Sequence, residues 1–579
     1  MRRGGARGTA AHAPLAARRR AAIGAAAFVV LSLFGPAPGS PVAQEGAAPC
    51  PPEASSYFPD WPAPGRRLPL RSLTFLRDNI FAPDDPRADL PYARLANALH
   101  VRTRESILRN TLLFEEGDSV GVLELETAVR RLRAQPFLSG EVDMEIAGGA
   151  DSLDLVIRTR DIWSTRPEVT LRRSGELLEW SFAARETNLF GLGKQVLLEA
   201  GREETEHFWG CGYSDPQLFG SRAWLILRAA FGSDLRLQEA SLLRPFESPS
   251  ATWGYAGQAR RYEGPVIDHR RGLNGPEWDA EQTIVSGWAG ERAGGGARSA
   301  VRLLPFVHLQ RERYEPPADS AFVAADAMDG PPGGRPLAER DIRAAGFAVE
   351  ILHERYEQMA CIDALGPWED VDLGASLRTG LGYSSRSWGA ARNTVFFTVL
   401  GRQAVGLGSR RFLVANVEAL GQVRAGRVED ALSIVRLRFY DRLGERNTLA
   451  AGLRGSFGID LAPQDLPTLG ADNGLRGFEA YRFWGERAVL ANVEDRILLA
   501  RDLFGLVSVG AAGFVDAGAL WNAGKSRRAR PKVSAGAGLR LHSCRAGGAL
   551  VTRLDLAYPL LGAADGDDWV FSFSAGQAF

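Results

Sequence analysis

Beyond its N-terminal region the chain has no apolar run approaching the about 20 residues that a membrane-spanning helix needs. Its four cysteines, Cys50, Cys211, Cys361 and Cys544, show no CxxC spacing and are too few for a disulfide scaffold. None of them lies in a Cys/His cluster, so we expect no metal site. The formal net charge is zero with 24% charged residues, and this balance predicts no nucleic-acid partner.

Catalytic signatures are also missing. The seven histidines are scattered and none lies in a recognisable nucleophile motif. Stretches such as Gly191-Leu192-Gly193 lack the βαβ context of a dinucleotide site. We therefore predict a protein that is not an enzyme and has no cofactor, and the remaining enzymatic alternative is a barrel-embedded hydrolase that uses His308 or His542.

Residues 1–43 have the pattern of a secretory signal peptide. Arg18 to Arg20 form a charged region, Ala21 to Gly35 form an apolar region of about 15 residues, and small residues follow at the expected cleavage points. A lipoprotein anchored at Cys50 is the weaker alternative, because Ala-Ala-Pro before it is a poor lipobox. A secreted chain without a spanning helix is either soluble in the periplasm or a β-barrel. A Pro-rich linker is predicted for residues 44–69.

Residues 70–162 predict a small α+β module. A strand at Leu70 to Phe75 is followed by a helix that Thr103 can cap, and by a second helix with an apolar face. Two strands, Glu141 to Ile146 and Leu153 to Thr159, close the unit. The order β-α-α-β-β resembles a POTRA domain, the periplasmic module of outer-membrane assembly and secretion barrels. The chain departs from that pattern in a long insertion from Phe81 to Val101.

Residues 165–579 repeat short segments that alternate apolar with polar or small residues, the pattern of a transmembrane β-barrel. In Val533 to Leu541, for example, Arg540 falls on the polar, inward face. Inward charges are informative because an arginine facing lipid at the midplane costs about 2–4 kcal/mol. A soluble β-sandwich would bury its apolar face instead. The fold class predicted is an all-β barrel of 16 antiparallel strands, preceded by the single POTRA-like domain.

A glycine-flanked turn carries the most specific motif of the chain, Leu475-Arg476-Gly477-Phe478. Two later strands carry Glu494 with Arg496, and then Phe514, Asp516 and Gly518. These segments resemble the signature of the BamA/TamA-type outer-membrane assembly barrels, also called the bacterial surface antigen family. In that family an extracellular loop folds back into the lumen on its Arg-Gly-Phe tip. The resemblance implies that Glu494, Arg496, Phe514, Asp516 and Gly518 line the wall facing the tip.

Physical chemistry supports a contact between Arg476 and Asp516. Strand parity puts Asp516 on the face of Ser508, Gly510 and Ala512, the small-residue side expected to line the lumen. An unpaired carboxylate at membrane depth is costly, and a guanidinium group offers it a two-pronged partner. The alternative is a solvated surface turn unrelated to the strand aspartate.

The last strand predicts location more than function. Phe571, Phe573 and Phe579 fall on the lipid-facing parity. Such a terminal aromatic strand resembles the signal by which outer-membrane proteins are recognised for insertion. It is equally typical of the aromatic girdle of any barrel.

The resemblance implies an outer-membrane protein that inserts or translocates polypeptides, with its POTRA domain in the periplasm. The expected partners are outer-membrane lipid, unfolded outer-membrane or secreted polypeptides, and accessory lipoproteins. A two-partner secretion pore is the first alternative, although such pores usually have two POTRA domains. A passive outer-membrane channel is the second, since it would need neither the POTRA domain nor the Arg-Gly-Phe loop.

Overall fold

The computed structural model describes most of the chain beyond the predicted linker. The described residues are 58, 61, 65–147, 151–174, 177–203, 206–270, 275–317, 335–363, 365, 369–522, 529–545, 551–563 and 568–575. The predicted signal peptide, Cys50, most of the predicted linker and Phe579 lie outside these residues. No helix in the described ranges is long and apolar enough to cross a membrane.

The N-terminal domain is a four-stranded sheet with three helices. Its strands are β1 (Arg67–Asp78), β2 (Ser119–Gly121), β3 (Leu138–Ala147) and β4 (Leu153–Asp161), and its helices are α1 (Pro91–Leu99), α2 (Glu105–Thr111) and α3 (Val122–Arg133). The sheet order is β2-β1-β4-β3, with β1 parallel to β4 and the outer pairs antiparallel. β3 therefore forms one edge of the sheet.

Helix α3 packs on this sheet through one apolar stripe. Leu125, Ala128, Val129 and Leu132 recur at helical spacing, and each is at most 3% exposed. They join Leu70, Leu155 and Ile157 of the central strands in one core. The helical spacing of apolar residues that predicted this helix is therefore also what packs it on the sheet.

Thr103 does not cap helix α2 as predicted. The helix begins at Glu105 after Arg104, which makes no side-chain cap. Thr103 instead donates from its hydroxyl to Asp161 Oδ2 at 2.9 Å, and its backbone N donates to the same oxygen at 2.6 Å. Asp161 is 1% exposed, and a buried carboxylate requires such donors.

A closed antiparallel barrel follows the N-terminal domain. Its strands are β5 (Thr165–Ser174), β6 (Leu177–Leu189), β7 (Lys194–Glu203), β8 (Glu206–Asp215), β9 (Trp224–Gly232), β10 (Arg236–Arg244), β11 (Trp253–Ile267), β12 (Glu277–Gly294), β13 (Ser299–Glu315), β14 (Arg340–His353), β17 (Ala375–Ser384), β18 (Thr394–Gly406), β19 (Arg411–Arg424), β20 (Arg427–Arg442), β21 (Asn447–Ile459), β24 (Arg487–Leu503), β25 (Val507–Trp521), β26 (Lys532–Ser543), β27 (Val551–Leu561) and β28 (Val570–Ala575). Two short hairpins lie outside the ring, β15 (Tyr356–Met359) with β16 (Glu369–Asp372), and β22 (Thr468–Leu469) with β23 (Phe483–Trp484). The ring closes where β28 lies beside β5, and we call this junction the seam.

The described residues form a barrel of 20 strands, and the prediction of 16 was wrong. That prediction allotted roughly 26 residues to each strand with its connection, from strands of 9–11 residues. Several connections are much shorter than this allowance. β19 and β20 are joined by Ala425 and Gly426 alone, at φ angles of 48° and 79°, as in two-residue hairpin turns. Tight turns of this kind leave residues for the additional strands.

Side chains alternate between lumen and outer surface along the barrel strands. On β25 the lumenal residues Ser508, Ala512, Phe514 and Asp516 are at most 4% exposed, whereas Val515 is 48% exposed. Val493, Leu539 and Leu556 on neighbouring strands are similarly exposed, at 48%, 46% and 44%. The structure therefore confirms a transmembrane β-barrel preceded by one small α+β domain.

The two rims of the barrel differ in their neighbours. The near rim contains the turns at 190–193, 295–298 and 504–506, which lie on the side of the N-terminal domain. The far rim contains the turn at 425–426 and the long connection 460–486.

Candidate functional site

Residues 460–486, here the lumenal loop, fold from the far rim into the barrel. The short β22–β23 hairpin closes the base of the loop. At its tip Leu475, Arg476 and Phe478 are at most 2% exposed. Gly474 has φ of +111°, a left-handed geometry that only glycine adopts without strain, and it turns the tip toward the wall.

Arg476 meets Asp516 in the two-pronged geometry expected of a guanidinium and a carboxylate. Nε and Nη2 of Arg476 each donate to a different oxygen of Asp516 at 2.8 Å. The backbone N of Arg476 adds a 3.2 Å bond to Asp516 Oδ2, and Asn492 Nδ2 donates to Oδ1 at 2.7 Å. Asp516 is fully buried, so its charge depends on these donors.

Arg476 belongs to a larger network, here the lumenal charge cluster. The cluster contains the guanidinium groups of Arg476, Arg496, Arg540 and Arg553 and the carboxylates of Glu494, Asp516 and Asp555. Glu494 lies at its centre, 2.7 Å from Arg476 and 3.1 Å from both Arg496 and Arg540. Asp555 accepts from Arg540 at 2.6 Å.

The cluster is nearly balanced in charge. Four guanidinium groups face three carboxylates, and Asp363, 3.3 Å from Arg496, supplies a fourth. Each carboxylate of the three is fully buried. Breaking such a pair typically costs about 3–5 kcal/mol because the remaining charge stays buried. The arrangement fastens the loop to the wall and contains no nucleophile with a base.

Phe514 and Gly518, the other residues predicted for this wall, shape the surface under the loop. The guanidinium carbon of Arg476 lies 3.3 Å from the centre of the Phe514 ring, a cation–π contact. A Cβ on Gly518 would stand 2.9 Å from Leu469, so the bare glycine allows the base of the loop to close. Leu469, Leu475, Phe478 and Leu490 form the apolar core of this closure.

The tip of the loop touches the wall backbone at Gly477. Its N–H donates to Ser534 Oγ on β26 at 3.2 Å. A Cβ at this position would lie 2.3 Å from the Ser534 Cβ and 3.1 Å from the carbonyl carbon of Tyr558 on β27. The loop is therefore in direct contact with the last strands before the seam.

A second element fills the near end of the lumen, and sequence reasoning missed it. Residues 354–374, here the near-rim segment, connect β14 to β17 and contain the β15–β16 hairpin. Arg496 Nη1 donates to Ile362 O at 3.0 Å, and Thr448 Oγ1 donates to the carbonyl of Cys361 at 2.9 Å. Cys361 is disulfide-bonded. The segment thus reaches strands far from its own in the ring, and only long-range contacts reveal it.

The N-terminal domain is docked against the near rim by ion pairs from helix α3. Arg131 lies 3.0 Å from Glu247, Arg133 lies 3.1 Å from Asp370, and Glu126 lies 3.1 Å from Arg298. Burial raises the pKa of Glu126, while Arg298 and Arg130 oppose that rise. Asp370 belongs to the near-rim segment, so that segment connects the domain with the charge cluster.

The structure describes two of the three aromatic residues predicted for the last strand. Phe571 is 61% exposed and pairs with Leu556, and Phe573 pairs with Leu554. Phe579 lies outside the described residues.

Cys211 and Cys544 are free thiols, and burial raises the pKa of Cys544 despite its contact with Ser508. In the described part of the chain no three potential metal ligands come together.

The fold and the site together define a membrane β-barrel whose lumenal loop is fixed to the wall by an Arg-Gly-Phe tip. Residues 369–579 match the Omp85 superfamily domain. This match, over the C-terminal part of the chain, confirms the resemblance to BamA/TamA-type barrels. Barrel proteins of this superfamily are outer-membrane proteins that handle client polypeptides, and its members act in transport and assembly. The similarity supports a general role in outer-membrane insertion or translocation.

Solved structures of similar proteins include BamA from Haemophilus ducreyi lacking POTRA domains 1–3, at 15% identity and a TM-score of 0.39, covering 89% of this chain and 85% of that one. CdiB from Acinetobacter baumannii is similar at 12% identity and a TM-score of 0.42, with 88% and 74% covered. CdiB from Escherichia coli is similar at 13% identity and a TM-score of 0.44, with 88% and 76% covered. No curated protein gives a match.

Proposed function

We propose that this chain inserts β-barrel clients into the outer membrane, with its N-terminal domain acting as a POTRA domain in the periplasm. The proposal rests on the position of the contacts that fasten the lumenal loop to the barrel wall. Its partners lie on β24, β25, β26 and β27, while none of the side chains described on β28 or β5 belongs to the charge cluster. The wall beside the seam is therefore fastened to the loop, whereas the described side chains of the seam strands are not.

The N-terminal domain offers an edge at which a client strand can be captured. β3 pairs only with β4 in the sheet, so its other side carries backbone groups free to extend the ladder. An extended polypeptide adds to such an edge through main-chain hydrogen bonds, which makes capture tolerant of sequence. In the proposed mechanism a client strand held on β3 passes to the seam, where β28 or β5 templates its pairing.

The filled lumen supports insertion over export through a wide pore. The lumenal loop occupies the far part of the lumen, and the near-rim segment packs against Leu498 and Val551 in the near part. The docked domain lies across the near rim. A two-partner secretion pore or a passive channel would require these elements to leave, whereas insertion at the seam leaves them in place.

Capture on β3 predicts a position-specific cross-link. A photo-activated phenylalanine analogue at Glu145, exposed on β3, should link to a urea-unfolded outer-membrane barrel several-fold more than the same analogue at Arg158, which is exposed on β4 and pairs with strands on both sides. The two positions differ mainly in whether an open sheet edge is next to them. The linked client would be quantified by gel after irradiation in vesicles. Equal yields at both positions would rule out capture by strand addition to β3.

A further inference from the structure

An insertion in the N-terminal domain runs beneath the seam. Residues 79–102, between β1 and α2, contain helix α1 and contact the turns that follow β24 and β26. Arg87 lies 2.9 Å from Asp502, and Tyr92 donates to Phe504 O at 3.1 Å. Arg545, after β26, donates to Ile80 O at 2.9 Å and to Asp85 at 2.7 Å. This end of the insertion is thus fixed on the β27 side of the seam.

The other end is fixed to the turn between β6 and β7. Arg104 N donates to Gly191 O at 2.9 Å, and Asn188 Nδ2 donates to Thr103 Oγ1 at 2.9 Å. A Cβ on Gly191 would lie 2.4 Å from the carbonyl oxygen of Arg102, so the two chains are in direct contact. Since β27, β28, β5 and β6 lie between the two attachment points, α1 crosses below the closing strands.

Helix α1 has a buried apolar face and an exposed face that carries two leucines. Tyr92, Ala93 and Ala96 pack with Ile80, Phe81, Trp163 and Leu506. The opposite face exposes Pro91, Ala98, Leu95 and Leu99, the leucines at 47% and 65%. Arg94 is the single charged residue of the helix. It is exposed on this same outward face, so the face combines two large apolar side chains with one positive charge, a composition suited to a layer of lipid headgroups.

We propose that this outer face of α1 lies in the lipid headgroup layer at the near rim, directly under the seam. The barrel turns that hold α1 also expose aromatic side chains, with Phe190 63% and Phe504 55% exposed. The apolar face of α1 therefore continues the lipid-facing surface of the barrel wall. A short helix with leucines on one side is the kind of element that rests in a membrane interface.

The inference rests on the barrel being in the membrane and not on the proposed handling of clients. The other occupants of such a face, a client polypeptide or a second copy of this chain, are outcomes of the test below.

Photo-cross-linking to lipid tests the inference on the full chain without any client. The photo-activated analogue would replace Leu95, and in a second variant Leu99, in vesicles of phosphatidylethanolamine with a minor share of phosphatidylglycerol, the phospholipid radiolabelled. Leu556 on the outer wall is the positive control. Ile146 is the negative control, and it is exposed to a similar extent, at 42%. β3 begins at Leu138, directly after Phe137, which lies against Gly193 of the near rim. Ile146 is near the other end of this strand and therefore away from the rim.

Lipid labelling at Leu95 and Leu99 should approach that at Leu556 and exceed that at Ile146 several-fold. Labelling at both helix positions no higher than at Ile146 would overturn the inference. A predominant link to a second copy of the chain would overturn it as well, and so would a link to client in place of lipid in a parallel sample that contains unfolded client. Retention of the compact barrel form on an unheated gel shows that each variant is folded.

Discussion

Replacement of Arg476 by alanine is expected to lower the free energy of unfolding of the barrel by about 3–5 kcal/mol. Most of this free-energy cost arises at Asp516, because its buried carboxylate loses the Arg476 guanidinium. Among the contacts described above, it would keep only the Asn492 amide as a side-chain donor. Glu494 is affected less, because Arg496 and Arg540 remain 3.1 Å from it. Urea titration of the vesicle-embedded protein, followed by tryptophan fluorescence and by the compact form on unheated gels, measures the change.

Matched variants separate the buried pair from a general effect on the loop. Arg482→Ala changes an arginine of the same loop whose side chain is 39% exposed, and it should shift stability by no more than about 0.5 kcal/mol. Adding Asp516→Asn to Arg476→Ala removes the stranded charge and should recover part of the loss. If Arg476→Ala behaved like Arg482→Ala, the charge cluster would not be what holds the loop.

The second large effect is expected at the point of closest approach between loop and wall. Gly477→Ala places a Cβ 2.3 Å from the Ser534 Cβ, a separation that the backbones can relieve only by moving apart. We expect a loss of about 1–3 kcal/mol in the same urea titration, as for other overpacked contacts. The displaced tip would also pull Arg476 away from Asp516, so the loss should come with greater proteolysis of the loop.

Exchanging the larger residue between positions 477 and 534 tests whether the loss comes from this particular contact. Ser534→Gly removes the obstructing Cβ, so the pair Gly477→Ala with Ser534→Gly should be less destabilised than the sum of the single variants by about 1 kcal/mol. Gly444→Ala serves as the control, since a Cβ there meets nothing within 4 Å. Strictly additive losses at positions 477 and 534 would mean that the two residues are not in contact in the folded protein.

Strand parity explains why part of this site could be predicted from the sequence. The period of two assigns every strand residue to the lumen or the lipid, and it placed Asp516 and Arg540 inside. Parity does not determine which lumenal charges touch, because this depends on the ring order and on how far the loop descends. The convergence of three arginines on Glu494 therefore became visible only in three dimensions.

Elements that act over long sequence distances were beyond the reach of local patterns. The predicted number of 16 strands allowed about 26 residues for each strand with its connection, and two-residue turns such as Ala425-Gly426 need far fewer. The near-rim segment meets Thr448 and Arg496 across the lumen, far from Cys361 and Ile362 in the chain. Similarly, the insertion from Phe81 to Val101 was recognised as an interruption, but its attachment on both sides of the seam follows from tertiary contacts.

The measurement that tests the central proposal most directly is the folding rate of a client. A urea-unfolded outer-membrane barrel would be diluted into vesicles that contain the wild-type chain, Arg476→Ala, Arg482→Ala or no protein. The fraction of client in its compact, heat-modifiable form would be followed over time, with ion conductance recorded in parallel.

We predict that wild type and Arg482→Ala accelerate client folding at least several-fold over empty vesicles, and that Arg476→Ala loses most of this acceleration. A client that folds no faster with the wild-type chain than in empty vesicles, accompanied by steady conductance, would contradict an insertion role. That result would identify the barrel as a passage across the membrane and leave Arg476 as a structural contact.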